Sequence, residues 1–203
     1  LDQAGTGPFT MAGAVALADG MTAGTLVLKG TSLAPATFAG PLDAGIALAK
    51  EGTGFWTFAP QGAFTGAVSV SGGTLAFDAS LHLASLTAAS GTTRIRVEAG
   101  RTLTVDALSV ADGKTLDFLL MDATASVRFP NEAAGAPLAN VTLNGHPVRL
   151  DDAGTLQAVT DGDNVWKAPV SGSWDDAANR ATPPTRSSWA AKRPGRRRSR
   201  TSS

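Results

Sequence analysis

The chain has 203 residues, 43% apolar and 6% aromatic, with 23 Gly, 11 Pro and no cysteine. It can build an apolar core, and it has no means of making disulfides, thiolate zinc sites or a thiol nucleophile. Its 17 basic and 17 acidic residues cancel, which gives no electrostatic reason to expect nucleic acid or an anionic membrane as partner.

The charge balance conceals a split. Residues up to Asn179 carry 9 basic against 17 acidic side chains, whereas residues 180–203 carry 8 basic and none acidic. The chain opens at Leu1 with no basic, apolar, small-residue series, so no secretory signal is visible in it and one upstream is left open. The longest apolar runs, Met11 to Ala18 and Phe118 to Met121, fall far short of the roughly 20 residues that a membrane-crossing helix takes. No transmembrane helix is expected.

From the first residues onward the sequence repeats itself. Gly5-Thr6-Gly7-Pro8-Phe9-Thr10-Met11 returns 47 positions later as Gly52-Thr53-Gly54-Phe55-Trp56-Thr57-Phe58, and Gly24-Thr25-Leu26-Val27-Leu28 returns 49 positions later as Gly73-Thr74-Leu75-Ala76-Phe77. Met11 to Ala18 and Ala44 to Lys50 are Ala-rich and ambiguous between helix and strand. Ala67-Val68-Ser69-Val70 and Arg94-Ile95-Arg96-Val97 alternate at period two. Further on, Val97 to Val105 matches Val110 to Phe118 at an offset of 13. The stretch from Pro130 to Pro137 breaks the pattern. Val141 to Leu150 then reads as a hairpin turning near Asn144-Gly145, and Gly154-Thr155-Leu156 is a last variant of the unit.

The unit is a glycine turn followed by Thr-Leu, a freer position and an apolar residue. Leu26, Leu75, Leu103 and Leu116 would point inward and Thr25, Thr74, Thr102 and Thr115 outward, which is the spelling of a half-buried strand. One such strand has too small an apolar face to be stable alone, but similar coils stacked on one another make a continuous core. The expected fold is therefore all-β, a right-handed parallel β-helix over residues 1–129 with its Thr-Leu rungs superposed. A terminal hairpin region (130–160), a partial Trp-containing module (161–179) and a disordered basic tail (180–203) follow. An antiparallel β-sandwich is the alternative, in which the 13-residue echo would be two strands of a meander.

Gly52 to Phe58, then Phe64-Thr65-Gly66, then Val68 to Leu75 resembles the autotransporter-associated β-strand repeat of large bacterial surface and secreted proteins, with Phe64 where that family usually has Tyr. The resemblance implies a β-helical passenger, secreted or displayed at the cell surface, in which Gly52, Gly54, Trp56, Gly73, Thr74 and Leu75 are structural motif positions and no residue is catalytic. Trp166, Trp174 and Asn179 resemble the Trp-x7-Trp-x4-Asn-Trp segment that follows such arrays, with Arg180 in the place of the last Trp. The Arg, Ser and Pro composition beyond it is what a reading frame lost near Asn179 would give.

Candidates for chemistry are few. Asp78, Glu98, Asp106 and Asp117 would face outward, and a β-helical polysaccharide lyase or hydrolase needs two carboxylates across a groove. A solvated outer face explains them as well. Asp161-Gly162-Asp163-Asn164 has the oxygen content of a calcium turn without the rest of a calcium loop, and reads as a turn. His82 alternates with Leu81 and Leu83 and belongs outside, His146 sits at a turn, and together they define no triad. Trp166 and Trp174 are possible sugar-stacking residues. The basic tail lacks the aromatic interleaving of a selective nucleic-acid binder. The expectation is a non-enzymatic, cofactor-free, adhesin-like structural segment with environmental or host surface glycans as a possible partner, against the alternative of a glycan-binding module.

Overall fold

The computed structural model describes residues 1–136 and 138–159. In chain order the strands are β1 (Asp2–Gln3), β2 (Phe9–Met11), β3 (Gly24–Gly30), β4 (Ala36–Phe38), β5 (Ile46–Lys50), β6 (Phe55–Phe58), β7 (Ala67–Val70), β8 (Gly73–Phe77) and β9 (Leu81–Leu83). There follow β10 (Ser85–Ala88), β11 (Thr92–Val97), β12 (Thr102–Val105), β13 (Leu108–Val110), β14 (Thr115–Leu120), β15 (Ser126–Arg128), β16 (Val141–Leu143), β17 (His146–Leu150) and β18 (Leu156–Ala158). Among the described residues there is no helix, and the strands form a parallel β-solenoid of about five turns.

Each coil visits the same faces in turn. Face 1 is the stack β1-β3-β5-β7-β10-β13, face 2 is β2-β4-β6-β8-β11-β14-β16, and face 3 is β9-β12-β15. In earlier coils face 3 is reduced to single bridges, Val15 with Leu42 and Pro41 with Gln61. All pairing within these stacks is parallel. Parallel neighbours need a long crossover, and here the rest of the coil is that crossover, so the antiparallel sandwich is excluded.

Period-two alternation decides which side chains go inward. On face 1, Leu26 pairs with Leu48, Leu48 with Val68, Val68 with Leu86 and Leu86 with Leu108, at 18 to 22 residues per coil. On face 2, Trp56, Leu75, Ile95, Phe118 and Leu143 succeed one another, and Phe38, Phe58, Phe77 and Val97 form the next column. Phe38 lies stacked on Phe58 with centroids 5.8 Å apart, and Phe77 meets Phe58 edge-on at 6.2 Å, the two arrangements that ring quadrupoles favour. Leu81, Leu103 and Val127 do the same on face 3. These columns fuse into one core.

The Thr-Leu units are not superposed, contrary to the sequence expectation. Leu26 lies on face 1, Leu75 and Leu116 on face 2, and Leu103 on face 3. Even the two on face 2 occupy different columns, since Leu75 is level with Ile95 and Phe118, whereas Leu116 is level with Thr93. A glycine corner followed by a half-buried strand is what every face needs, so the unit recurs per face rather than per coil. The 13-residue echo is accordingly one corner and strand on face 3 followed, after β13, by another on face 2. Only the 47-residue repeat is a vertical one. Phe9 is level with Ala36 and Thr37 with Thr57, and the Phe9 and Trp56 rings meet edge to face at 6.1 Å across the small Ala36.

Both ambiguous Ala-rich segments resolve without a helix. Ala44 to Lys50 contains β5, and Met11 to Ala18 leaves β2 and touches face 3 at Val15. The hairpin over Val141 to Leu150 forms, its turn taken by Asn144 and Gly145 with φ of 51° and 79°, as a two-residue hairpin turn requires. Its first strand also pairs in parallel with β14, so the parallel stack extends past residue 129, where it was expected to end. β18 then adds antiparallel to β17.

Candidate functional site

The most heavily constrained place in the molecule is the corner where the chain turns from face 1 to face 2. Gly52 and Gly73 have φ of +72° and +66°, and a Cβ on them would stand 2.5 Å from Gly30 O and 2.4 Å from Gly54 O. Only glycine satisfies both the backbone angle and the space. Between these two levels Gly54 donates its N–H to Gly30 O and accepts from the Thr74 N–H, so successive corners are bonded to one another. Immediately after the corner Trp56 is wholly buried, and its indole N–H donates to Lys29 O, 3.1 Å away on the coil before. Thr74 lies half-buried on the outer side of β8 and Leu75 is fully buried. The motif residues Gly52, Gly54, Trp56, Gly73, Thr74 and Leu75 thus act in register, on coils that touch.

Phe64-Thr65-Gly66 has a related logic. The Phe64 ring is buried and packs edge-on to Phe58 at 5.1 Å. A Cβ on Gly66 would meet that ring at 2.9 Å and Ile46 O at 2.6 Å. An apolar ring is all this position uses.

Lys50 is the corner residue that sequence reasoning passed over. It occupies the inward column between Leu28 and Val70 and is fully buried. Its Nζ donates to Glu51 O at 2.9 Å, Gly52 O at 2.8 Å and Gly72 O at 3.3 Å, which uses all three ammonium donors and ties two coils together. Burial brings its pKa down from 10.5 to about 8, because desolvation penalises the charged form. The signal was present, since Ile46, Leu48 and Lys50 share one phase of the alternation. A buried amine so enclosed is a cross-coil tie and is out of reach of a substrate.

The four acidic candidates fall into three environments. Asp78 and Glu98 occupy equivalent corner positions of successive coils, each donating its N–H to the carbonyl that ends the strand before, Phe58 O and Phe77 O. Asp78 accepts from Arg101 Nε at 3.3 Å. Glu98 Oε1 lies 2.7 Å from Arg96 Nε, an ion pair without hydrogen-bond alignment, and Oε2 accepts from Arg96 Nη2 at 3.1 Å. Arg96 also lies over the Phe55 ring, 5.9 Å from its centre. Asp106 lies at a different corner, 2.7 Å from Nε2 of the outward-facing His82. Asp117 accepts from Thr142 Oγ1 at 2.6 Å and the Gly145 N–H at 3.0 Å, anchoring the closing hairpin. His146 is exposed at the start of β17.

Two further carboxylates close turns. Asp122 accepts from the Thr124 hydroxyl and from the Thr124 and Ala125 N–H groups, and Asp151 from the Ala153 and Thr155 N–H groups. The Thr124 hydroxyl bond in the first case and the Thr155 N–H bond in the second are the largest causes holding their pKa values below the usual carboxylate range.

Trp166, Trp174, the Asp161 to Asn164 turn and the basic segment lie outside the described residues. No protein family, curated protein or solved structure matches this chain. Among the described residues no helix is long and apolar enough to cross a membrane, and no group of three or more His, Asp or Glu is placed to hold a metal ion.

Proposed function

We propose that the chain is a non-catalytic structural segment of an exported bacterial protein of the autotransporter type, secreted or held at the cell surface, where its coils space and present the parts that flank them. The observation that carries this reading is the glycine corner. The residues shared with the autotransporter-associated repeat stack coil on coil there, and Lys50 and Trp56 bond one coil to the next. Support also comes from the acidic candidates, each of which is engaged by a partner that serves the coil or its closing hairpin. Adhesion, carried by the parts that flank it, is the process in which we place such a segment.

The test is export. Placed between a secretory leader and an outer-membrane translocating barrel in a Gram-negative host, the 203-residue chain should reach the cell surface, where external protease removes it. Retention inside the envelope by a chain that folds in vitro would contradict the reading. A fall in polysaccharide viscosity abolished by Asp78→Asn, Glu98→Gln, Asp106→Asn or Asp117→Asn would replace it with an enzyme. Glycan-array binding lost in Trp166→Ala or Trp174→Ala would replace it with a dedicated glycan-binding module.

A further inference from the structure

Face 1 stops one coil before face 2. Among the described residues its last strand, β13, pairs with β10 alone, while face 2 continues from β14 to β16. Where the chain order calls for the next rung of face 1, residues 129–136 make turns instead. Glu132 donates its N–H to Phe129 O, Ala136 to Ala133 O, and Gly135 to Leu150 O. Pro130, Gly135 and a run of alanines are poor strand formers, so the sequence itself leaves the rung out.

The consequence, among the described residues, is a strand edge with no second partner. β10 uses the Ala107 carbonyl and the Ala111 N–H. By strand alternation the backbone groups of Leu108 and Val110 face the other way, toward a groove of about 380 Å³. Leu108, Val110, Leu138 and Asn140 help to line it, together with two carboxylates, Asp112 and Glu132, and its described lining has no basic side chain. An unpaired edge is a template for a further strand, and peptide recognition by strand addition takes its affinity from main-chain bonds and its selectivity from neighbouring side chains.

We propose that this edge binds an extended segment of another protein as an added strand, parallel to β13. Alternating apolar residues of the guest extend the Leu86-Leu108 and Ala88-Val110 columns. Small residues fit its outer side, as Ser109 does on β13. Because β13 runs toward Asp112, a guest strand running the same way brings its C-terminal residues beside Asp112 and Glu132, and a lysine or arginine there completes the charge match.

A fluorescein-labelled, end-blocked peptide Ser-Leu-Ser-Val-Ala-Lys-Lys, titrated into the full chain and followed by anisotropy and amide hydrogen exchange, tests this. Saturable binding below about 1 mM and slowed exchange at Leu108 and Val110 are expected. Replacing both peptide lysines by glutamate should weaken binding at least about tenfold, and Asp112→Asn with Glu132→Gln about fivefold, as fits exposed ion pairs. Ala139→Trp, which fills the groove, should abolish binding. No saturable binding, protection elsewhere, or equal affinity for the glutamate peptide overturns the proposal. So does a concentration-dependent dimer that protects the same amides without peptide, which makes a second copy the occupant.

Discussion

Lys50 places a titratable group where the columns otherwise hold leucine, valine and alanine, and its behaviour with pH follows from that. Its folded pKa of about 8 lies below the unfolded value of 10.5, so between these values the unfolded chain holds a proton that the folded one has lost. Stability therefore rises from pH 8 to 10.5 and is lower, and flat in this term, below 8. The rise is at most about 3 kcal/mol. Urea unfolding across this range should show it in the parent chain, and it should be absent in Lys50→Met. Glycine gives a second contrast. Gly73→Ala meets both a φ of +66° and the Gly54 carbonyl, whereas Gly62→Ala meets a φ of +96° in open space. The first should cost well over about 2 kcal/mol and the second about 1 kcal/mol, read as the difference in urea midpoint at constant slope. Gly52 and Gly73 were legible in the sequence because a turn glycine announces itself. Lys50 was not, because a charged residue is by habit assigned to the surface and only the phase of its strand says otherwise.

At the level of the strand, inward and outward neighbours should differ sharply. Leu75 is fully buried between Trp56 and Ile95, and Leu75→Ala removes side-chain volume from a column that cannot close up, costing about 2–5 kcal/mol. Thr74→Ala on the outer side should cost under about 1 kcal/mol. Equilibrium denaturation of the two variants checks this, and equal effects would mean the alternation has been assigned to the wrong side. Strands and their buried sides were readable from the sequence because alternation is local. Which face a strand joins was not, because that depends on how many residues each corner consumes. Thr102 to Val105 and Thr115 to Phe118 are spelled alike yet lie on different faces. The vertical match of Phe9 and Trp56 was recoverable only because both segments keep the same Gly-x-Gly entry.

For the molecule as a whole, the account rests on coils held chiefly by their immediate neighbours, each aligned by its columns and its glycine corner, with the ring contact of Phe9 and Trp56 across Ala36 reaching one coil further. Composition and repetition made the solenoid class legible. They could not show the missing rung beside β13, since Pro130 to Pro137 reads simply as a break in the sequence, and a break becomes a groove only when the faces around it are known to continue. If neighbour contacts are sufficient, an extra coil should be accepted wherever the register is kept. Leu48 is level with Val68, 20 residues on, so a second copy of residues 48–67 inserted after Ala67 supplies one further coil with every column intact. The decisive measurement is the urea unfolding slope of that lengthened chain, which scales with the surface buried on folding. The account predicts a folded protein with a single transition and a slope larger by about one eighth. An unfolded chain, or an unchanged slope with the insert looped out and protease-sensitive, would contradict it.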